Sequence, residues 1–298
     1  MNINDIDIVK RTKEGLNFSI LIPSWNNLAY LKLCVESIEK NSALQHQIII
    51  HINEGSDGTL EWVESKQNID YTFSKKNIGV CYALNIAVGI ASTDYIAYIN
   101  DDMYVCPGWD TELLKEINIC GHKNFFFSST VIERIASSNC VIEKDFGSSV
   151  ENFNEAALLK EYNELKKDDW MGATWPPNIV HKDLWAFVGG YSIEFSPGMY
   201  SDPDFSMKLW LAGVRLFKGV SASRAYHFTS QSTHRIKKNK GYYQFISKWQ
   251  ITSGTFTNMI LKRGEKFTGA LKEIDDSVMN TLKNKFKRVV TSFKKLKS

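Results

Sequence analysis

The chain has 298 residues and 34.0 kDa, with 43% hydrophobic and 23% charged residues. This is the balance of a globular protein long enough to bury a sizeable core, and it excludes a disordered chain, a collagen-like fibre and a small disulfide scaffold. The net charge of +3 is unevenly placed: the last sixteen residues hold seven Lys and Arg and no acid, so the remainder is net acidic, which argues against a nucleic-acid-binding surface.

Along the first hundred residues, strand and helix signals alternate. Phe18–Ile22 is a short apolar run stopped by Pro23-Ser24. Asn26 or Asn27 is placed to cap a helix with Leu28, Leu31, Val35 and Ile38 on one side. The isoleucine-rich run Gln47–Ile52 reads as a buried strand and ends in a strong turn signal, Asn53-Glu54-Gly55-Ser56-Asp57-Gly58. A helix from Thr59 to about Lys66, a short strand at Tyr71–Phe73, a helix over Ile78–Ala91 and a strand at Tyr95–Ile99 follow, the last stopped by Asn100-Asp101-Asp102. Such alternation predicts a mostly parallel α/β sheet, in which ligands gather at the carboxyl ends of the strands.

The second half is less regular. Asn124–Thr130 reads as a strand, residues 131–168 as a charged surface excursion, Asp169–Trp175 as a polar-aromatic cluster, and Ser201–Gly213 as a loop entering a helix. Cys34, Cys81, Cys106, Cys120 and Cys140 are odd in number, widely spaced and free of any CxxC pair, which predicts reduced thiols and no zinc site. The N-terminus has no apolar core of a leader. The longest charge-free apolar stretch, 78–93, contains Asn85 and is too short to span a bilayer, so a cytoplasmic location is expected.

Asp101-Asp102 carries the first chemical signal. Two adjacent carboxylates after a buried strand repel each other and favour a cation, and hard Mg²⁺ or Mn²⁺ would take their oxygens. An Asp-rich turn is the plain alternative.

Four segments, in order, resemble family 2 glycosyltransferases of the GT-A fold: FSILIPSWNN, IIIHINEGSDGT, KKNIGVCYALNIAVGIASTDYIAYINDDM and GGYSIEFSPGMYSDPDFSMKLWLAGVR. The resemblance covers about residues 17–230. It implies an α/β fold of GT-A type, with a mostly parallel central sheet flanked by helices. A glycosyltransferase domain would occupy 1–235, with a nucleotide-sugar half at about 17–105 and an acceptor half at 106–235. A basic helical C-terminal appendage would occupy 236–298.

The resemblance further implies a metal-dependent, inverting hexosyltransferase-type enzyme moving sugar from a nucleotide-diphosphate sugar, UDP-sugar favoured, to a glycan or lipid-linked glycan. On the family pattern, Pro23, Ser24 and Asn26 belong to the nucleotide turn, and Asn53 stands where the family has a base-contacting Asp. An Asn there still offers a donor and an acceptor to a uracil edge. Lys76, Asn77 and Gly79 would lie near the nucleotide, Asp101 at ribose or metal, and Asp102 on Mn²⁺ or Mg²⁺, with the late His227 completing the metal shell. Asp202 matches the general base of the family's Glu-Asp-x-Asp, although Ser201 replaces its Glu. Asp204 would orient the loop or cap the next helix, near the acceptor. Trp170 and Trp175 are acceptor-site candidates, since sugars pack their CH faces on aromatic rings, whereas Trp185 reads as core. A basic loop at Thr233–Lys240, with His234, Arg235, Lys237 and Lys238, could fold over a diphosphate.

Two alternatives stand beside this reading. A nucleotidyltransferase would want a Gly-rich basic loop after the first strand, which Pro23-Ser24-Trp25-Asn26 does not offer. A non-catalytic sugar-binding relative is kept open by Ser201. In the tail, Val278, Leu282, Phe286, Val289, Val290, Phe293 and Leu296 recur every three or four residues among lysines. This predicts an amphipathic helix over 278–298 that either rests on an anionic membrane, at its inner face, or packs on the catalytic domain.

Overall fold

The computed structural model describes residues 5–12, 16–229, 240–274, 276–279 and 281–295. Its strands are β1 (Ile6–Val9), β2 (Phe18–Trp25), β3 (Gln47–Asn53), β4 (Ile69–Ser74), β5 (Tyr95–Tyr98), β6 (Met103–Val105), β7 (Phe125–Glu133), β8 (Ile142–Glu143), β9 (Trp170–Met171), β10 (Asn178–His181) and β11 (Leu216–His227). The helices are α1 (Leu28–Asn41), α2 (Thr59–Glu64), α3 (Gly79–Ala87), α4 (Trp109–Cys120), α5 (Glu155–Glu161), α6 (Lys182–Phe187), α7 (Ser201–Leu211), α8 (Gly241–Trp249), α9 (Ser253–Thr255), α10 (Asp276–Met279) and α11 (Leu282–Lys295).

All strands join one sheet in the order β1-β4-β3-β2-β5-β10-β7-β11-β6, with β8 beside β7 and β9 beside β11. The run β4-β3-β2-β5 is parallel, as the alternating signals predict. β10 then enters antiparallel between β5 and β7, and β7 pairs parallel with β11.

Side chains alternate across a strand, so a doubly covered strand must be apolar on both faces. Ile48, Ile50 and Ile52 of β3 pack with Ile20, Ile22, Leu31, Val35 and Ile38, on the α1 side. Ile49 points the other way, into a core with Leu21, Cys81, Leu84 and Phe205. β7 divides likewise: Phe125 and Phe127 join the first core and Phe126 the second. This is why these strands read as unbroken apolar runs.

The surface excursion expected over 131–168 is instead partly a third core. Ile142, Phe146 and Leu158 close over Tyr104, Tyr226 and Phe228. Asn27 stands at the N-cap of α1, as expected, but its side chain makes no capping hydrogen bond. The first amide of the helix, Leu28 N–H, donates to Asp57 Oδ2 at 2.8 Å. Asn26, at φ 45°, accepts Ser56 N–H through Oδ1 at 2.9 Å. The turns after β2 and β3 are therefore clipped together.

At the C-terminal end, Phe245, Ile251, Phe256, Ile260, Leu261 and Leu271 share the core of Phe205 and Phe217. All five cysteines are free thiols. Among the described residues, no helix is long and apolar enough to cross a membrane. The basic loop of residues 233–239 and Leu296 lie outside the described residues.

Candidate active site

A cavity of about 250 Å³ opens where β2, β3 and β5 end. Pro23, Ser24 and Trp25 form one wall, and Asn53, Asn77, Gly79 and Val80 the next. Tyr98, Asn100, Asp101 and Asp102 form the floor at the end of β5. Pro197–Met199, Ser201 and Asp202 close it from the start of α7, and His227 from the end of β11. A wider groove of about 520 Å³ beside α6 is mostly apolar, and its charged residues, Lys182 and Asp183, are paired with Asp94 and Lys123. The first cavity brings unlike chemical groups from both halves of the sheet together.

Asp101 and Asp102 are both almost wholly buried. Ser24 Oγ donates to Asp101 Oδ2 at 2.7 Å, which fixes that carboxylate. Asp102 Oδ1 lies 3.4 Å from His227 Nε2, and the other ring nitrogen, Nδ1, is 2.8 Å from Glu133 Oε1. Burial disfavours a charged imidazole here, but Asp102 and Glu133 outweigh it and hold the His227 pKa up at about 10. The β-ladder makes this constellation: His227 is in register with Glu133 of β7 on one side and Met103 of β6 on the other.

This donor set fits a divalent cation. A hard carboxylate oxygen and an imidazole nitrogen face one cavity, and a carboxylate behind the imidazole anchors its second nitrogen, as is usual for metal-binding histidines. Among the described residues, no group of three or more His, Cys, Asp or Glu is arranged to hold an ion alone. Further ligands would come from a bound diphosphate or water.

Asp202 sits in the first turn of α7, on the opposite wall. Its burial raises the carboxyl pKa from 3.8 to about 7, against the lowering effect of Tyr191, whose hydroxyl donates to Oδ1 at 3.3 Å. Tyr98 and Tyr191 are buried beside it and held as neutral phenols, first by burial and then by the Asp202 charge. Ser201, in place of an acid, donates to Gly198 O at 2.5 Å and ties down the preceding loop. That loop rides on the start of α3. Gly79, at φ +79°, lies so close that an added Cβ would stand 2.2 Å from Ser196 Oγ and 2.7 Å from Pro197 Cα. Val80 N–H donates to Pro197 O at 3.0 Å.

Asn53 Oδ1 accepts Ile78 N–H at 2.9 Å and Ser74 Oγ at 3.4 Å, so its amide NH₂ is the group left for a ligand. Beneath it, His51 is buried and its pKa falls to about 4, which keeps the ring neutral.

Several predicted residues stand elsewhere. Asn26 clips the two turns and does not line the cavity. Lys76 is exposed outside it, and its carbonyl accepts from Ser74 Oγ. Asn77 lines the cavity, but its Oδ1 accepts Gly79 N–H at 2.8 Å. Trp170, expected at the acceptor, is 1% exposed and lies against Gly219, with its indole N–H on Thr130 Oγ1 at 2.9 Å. Trp175 is half-buried under the Arg263 guanidinium, 4.4 Å from its ring centroid. Asp204 is fully buried and accepts Trp249 Nε1–H at 2.8 Å, with Lys248 Nζ at 2.9 Å, so it anchors α8. Two partners of the site were not singled out by the sequence: Tyr191, which follows Gly189-Gly190 and meets Asp202, and Glu133, which meets His227 from a segment with no local motif.

Known proteins resemble this chain in sequence and in fold. The sequence model described as "Glycosyl transferase family 2" matches residues 19–134. A GalNAc(5)-diNAcBac-PP-undecaprenol beta-1,3-glucosyltransferase of Campylobacter jejuni is 22% identical over 245 residues, 80% of this chain and 68% of that protein. An uncharacterized glycosyltransferase of Rickettsia bellii is 25% identical over 142 residues, and a chondroitin synthase of Pasteurella multocida 31% over 101. These two matches cover 46% and 33% of this chain, and only 20% and 10% of the relatives' own lengths. Among solved structures, S. aureus TarS 1-349 in complex with UDP-GlcNAc superposes with a TM-score of 0.58 at 14% identity, covering 79% of this chain and 65% of that one. GalNAc-T7 with UDP, GalNAc and Mn2+ gives 0.56 at 14%, covering 82% and 50%. The fold is thus of GT-A type, and residues 19–134 match the model of glycosyl transferase family 2.

Proposed function

We propose that this protein transfers a sugar from a nucleoside-diphosphate sugar, UDP-sugar favoured, to a hydroxyl of a glycan or lipid-linked glycan, with inversion at the anomeric carbon. The observation that carries this reading is a single cavity that joins Pro23, Ser24 and Asn53 at the strand ends, the carboxylates Asp101 and Asp102, and a carboxyl of raised pKa, Asp202.

In this reading the nucleotide lies over the carboxyl ends of β2, β3 and β5. The Asn53 amide donates to the base, and Asp101, fixed by Ser24, takes the ribose. Asp102 and His227 would hold Mn²⁺ or Mg²⁺, which, when bound, offsets the charge of the departing diphosphate. Asp202 is the general base. A carboxyl with a pKa near 7 is half ionised at neutral pH and strong enough to draw a proton from a hydroxyl as the bond forms. The acceptor oxygen gives its proton to Asp202 and bonds to the anomeric carbon, whose bond to the diphosphate oxygen breaks with the electron pair leaving on oxygen. Tyr191 steadies the carboxylate through its hydroxyl, and Tyr98 lines the cavity beside it. The resemblance to the Campylobacter glucosyltransferase, whose name includes an undecaprenol-linked glycan, supports the lipid-linked acceptor.

The test is incubation with Mn²⁺ and a panel of nucleotide sugars, following slow donor hydrolysis. One or more UDP-sugars should be consumed by the native chain and not by Asp102→Ala. Equal consumption by both, or none of any donor, would overturn the proposal.

A further inference from the structure

The C-terminal helix is docked in the reverse of the usual sense. On α11, positions 284, 287, 288 and 291 face the body, and these are Asn, Lys, Arg and Thr. Asn284 is 1% exposed; its Oδ1 accepts Thr255 Oγ1–H at 2.9 Å and Thr252 N–H at 3.2 Å. Arg288 Nε donates to Gln250 O at 2.6 Å, and the Lys287 ammonium sits over the Tyr242 ring. These polar side chains satisfy backbone groups at the end of α8 and the start of α9, so the polar face is the one that packs. The apolar face is left outside: Leu282 is 85%, Phe286 65% and Val289 56% exposed. Spaced by four and three residues, they form one stripe.

Three large apolar side chains held in water on a rigid element are costly unless something covers them. The charge around them says what. From Ser277 to the end the chain holds no acidic residue, and Lys283 and Lys285 flank the stripe on exposed positions. An apolar stripe edged only by cations suits a surface with an apolar interior and an anionic rim. We infer that α11 seats this protein on an anionic lipid bilayer, with Leu282, Phe286 and Val289 in the acyl boundary and the lysines at the headgroups. The position of the helix gives this a use. α11 packs on α8, Tyr242 of α8 meets Tyr200 with ring centroids 5.9 Å apart, and Tyr200 leads directly into Ser201 and Asp202. Seating α11 would therefore tether, through α8 and Tyr200, the segment that carries Asp202. The inference is independent of the proposed reaction, although it suits a lipid-linked acceptor.

The test uses the full chain, co-sedimented with vesicles of phosphatidylglycerol and phosphatidylcholine and with vesicles of phosphatidylcholine alone. The chain should pellet with the anionic vesicles, less so as salt is added. Replacing Leu282, Phe286 and Val289 together by Ser should lower the partition by about tenfold or more. All three are exposed, so the variant keeps its fold, which an unchanged melting temperature verifies. Equal pelleting of the variant, equal binding to uncharged vesicles, or no binding at all would overturn the inference. So would a concentration-dependent dimer by sedimentation velocity that the triple substitution abolishes, since a second copy would then be what covers the stripe. None of these outcomes depends on a donor sugar or on turnover.

Discussion

Replacing Asp202 by Asn should make the protein less active and more stable. Burial holds this carboxyl at a pKa of about 7 against an ordinary 3.8. The native state therefore keeps a proton that the unfolded chain releases between those values. Since the folded state binds more protons in this window, stability falls as pH rises from about 4 to about 7, and the loss is complete above the folded pKa. At 1.36 kcal/mol per unit, the full shift corresponds to about 4 kcal/mol; the open cavity beside the carboxyl trims this to about 2–4 kcal/mol. Asn has the same size, can accept the Tyr191 hydroxyl and does not titrate. Its advantage should be near zero at about pH 4 and largest at about pH 8. For a chain of this length that is roughly 3–6 °C in melting temperature, from the usual unfolding entropy per residue. The assay is thermal unfolding of both proteins, without metal or nucleotide, across that pH range. In parallel, turnover of Asp202→Asn should fall by about 10²-fold or more at unchanged donor affinity, and native turnover should decline as pH falls through about 7. A melting difference that does not change with pH, or a variant less stable at about pH 8, would refute the cost of burying this carboxylate. Native-like turnover would remove Asp202 from the reaction while leaving the stability argument standing.

Two further predictions concern residues whose neighbours assign their roles. Glu133→Ala leaves His227 Nδ1 without its partner, and should weaken Mn²⁺-dependent UDP binding by about 10–100-fold by calorimetry, with metal-independent UDP binding unchanged; an unaltered affinity would mean the imidazole is oriented without it. Trp170→Ala should cost about 3–5 kcal/mol by denaturant unfolding, because it empties a core site beneath Gly219; full stability with a raised acceptor KM would return Trp170 to the acceptor role its sequence neighbourhood suggested.

The strands β2, β3 and β5 were legible because strands covered on both faces must be apolar at every position, and Pro23-Ser24, Asn53 and Asn100-Asp101-Asp102 mark their polar ends. That alone located two sides of the cavity, at Pro23-Ser24 and Asn53 and at Asn100 to Asp102, since a parallel sheet brings successive carboxyl ends to one edge. Asp57 was not legible as the cap of α1. It lies 29 positions from Leu28, and only the parallel pairing of β2 with β3 brings the two turns together. Glu133 was invisible for the same reason: it meets His227 across 94 residues through the register of β7 with β11.

By itself, then, the sequence determined the alternation of strands and helices, the polar strand ends, the carboxylates Asp101, Asp102 and Asp202 that line one cavity, and an amphipathic C-terminal helix. The tertiary structure alone decided which neighbours those groups meet. It turned Trp170 and Asp204 inward and left Lys76 outside. It raised the pKa of Asp202 by burying it beside Tyr98 and Tyr191. It also docked α11 by its polar face, because the backbone groups near Gln250 and Thr252 need the hydrogen bonds that Asn284 and Arg288 supply. The physical reason is common to all of these. Periodicity fixes the direction of a side chain relative to its own strand or helix axis, whereas its burial, charge state and partners depend on chain segments that pack against it from far along the sequence.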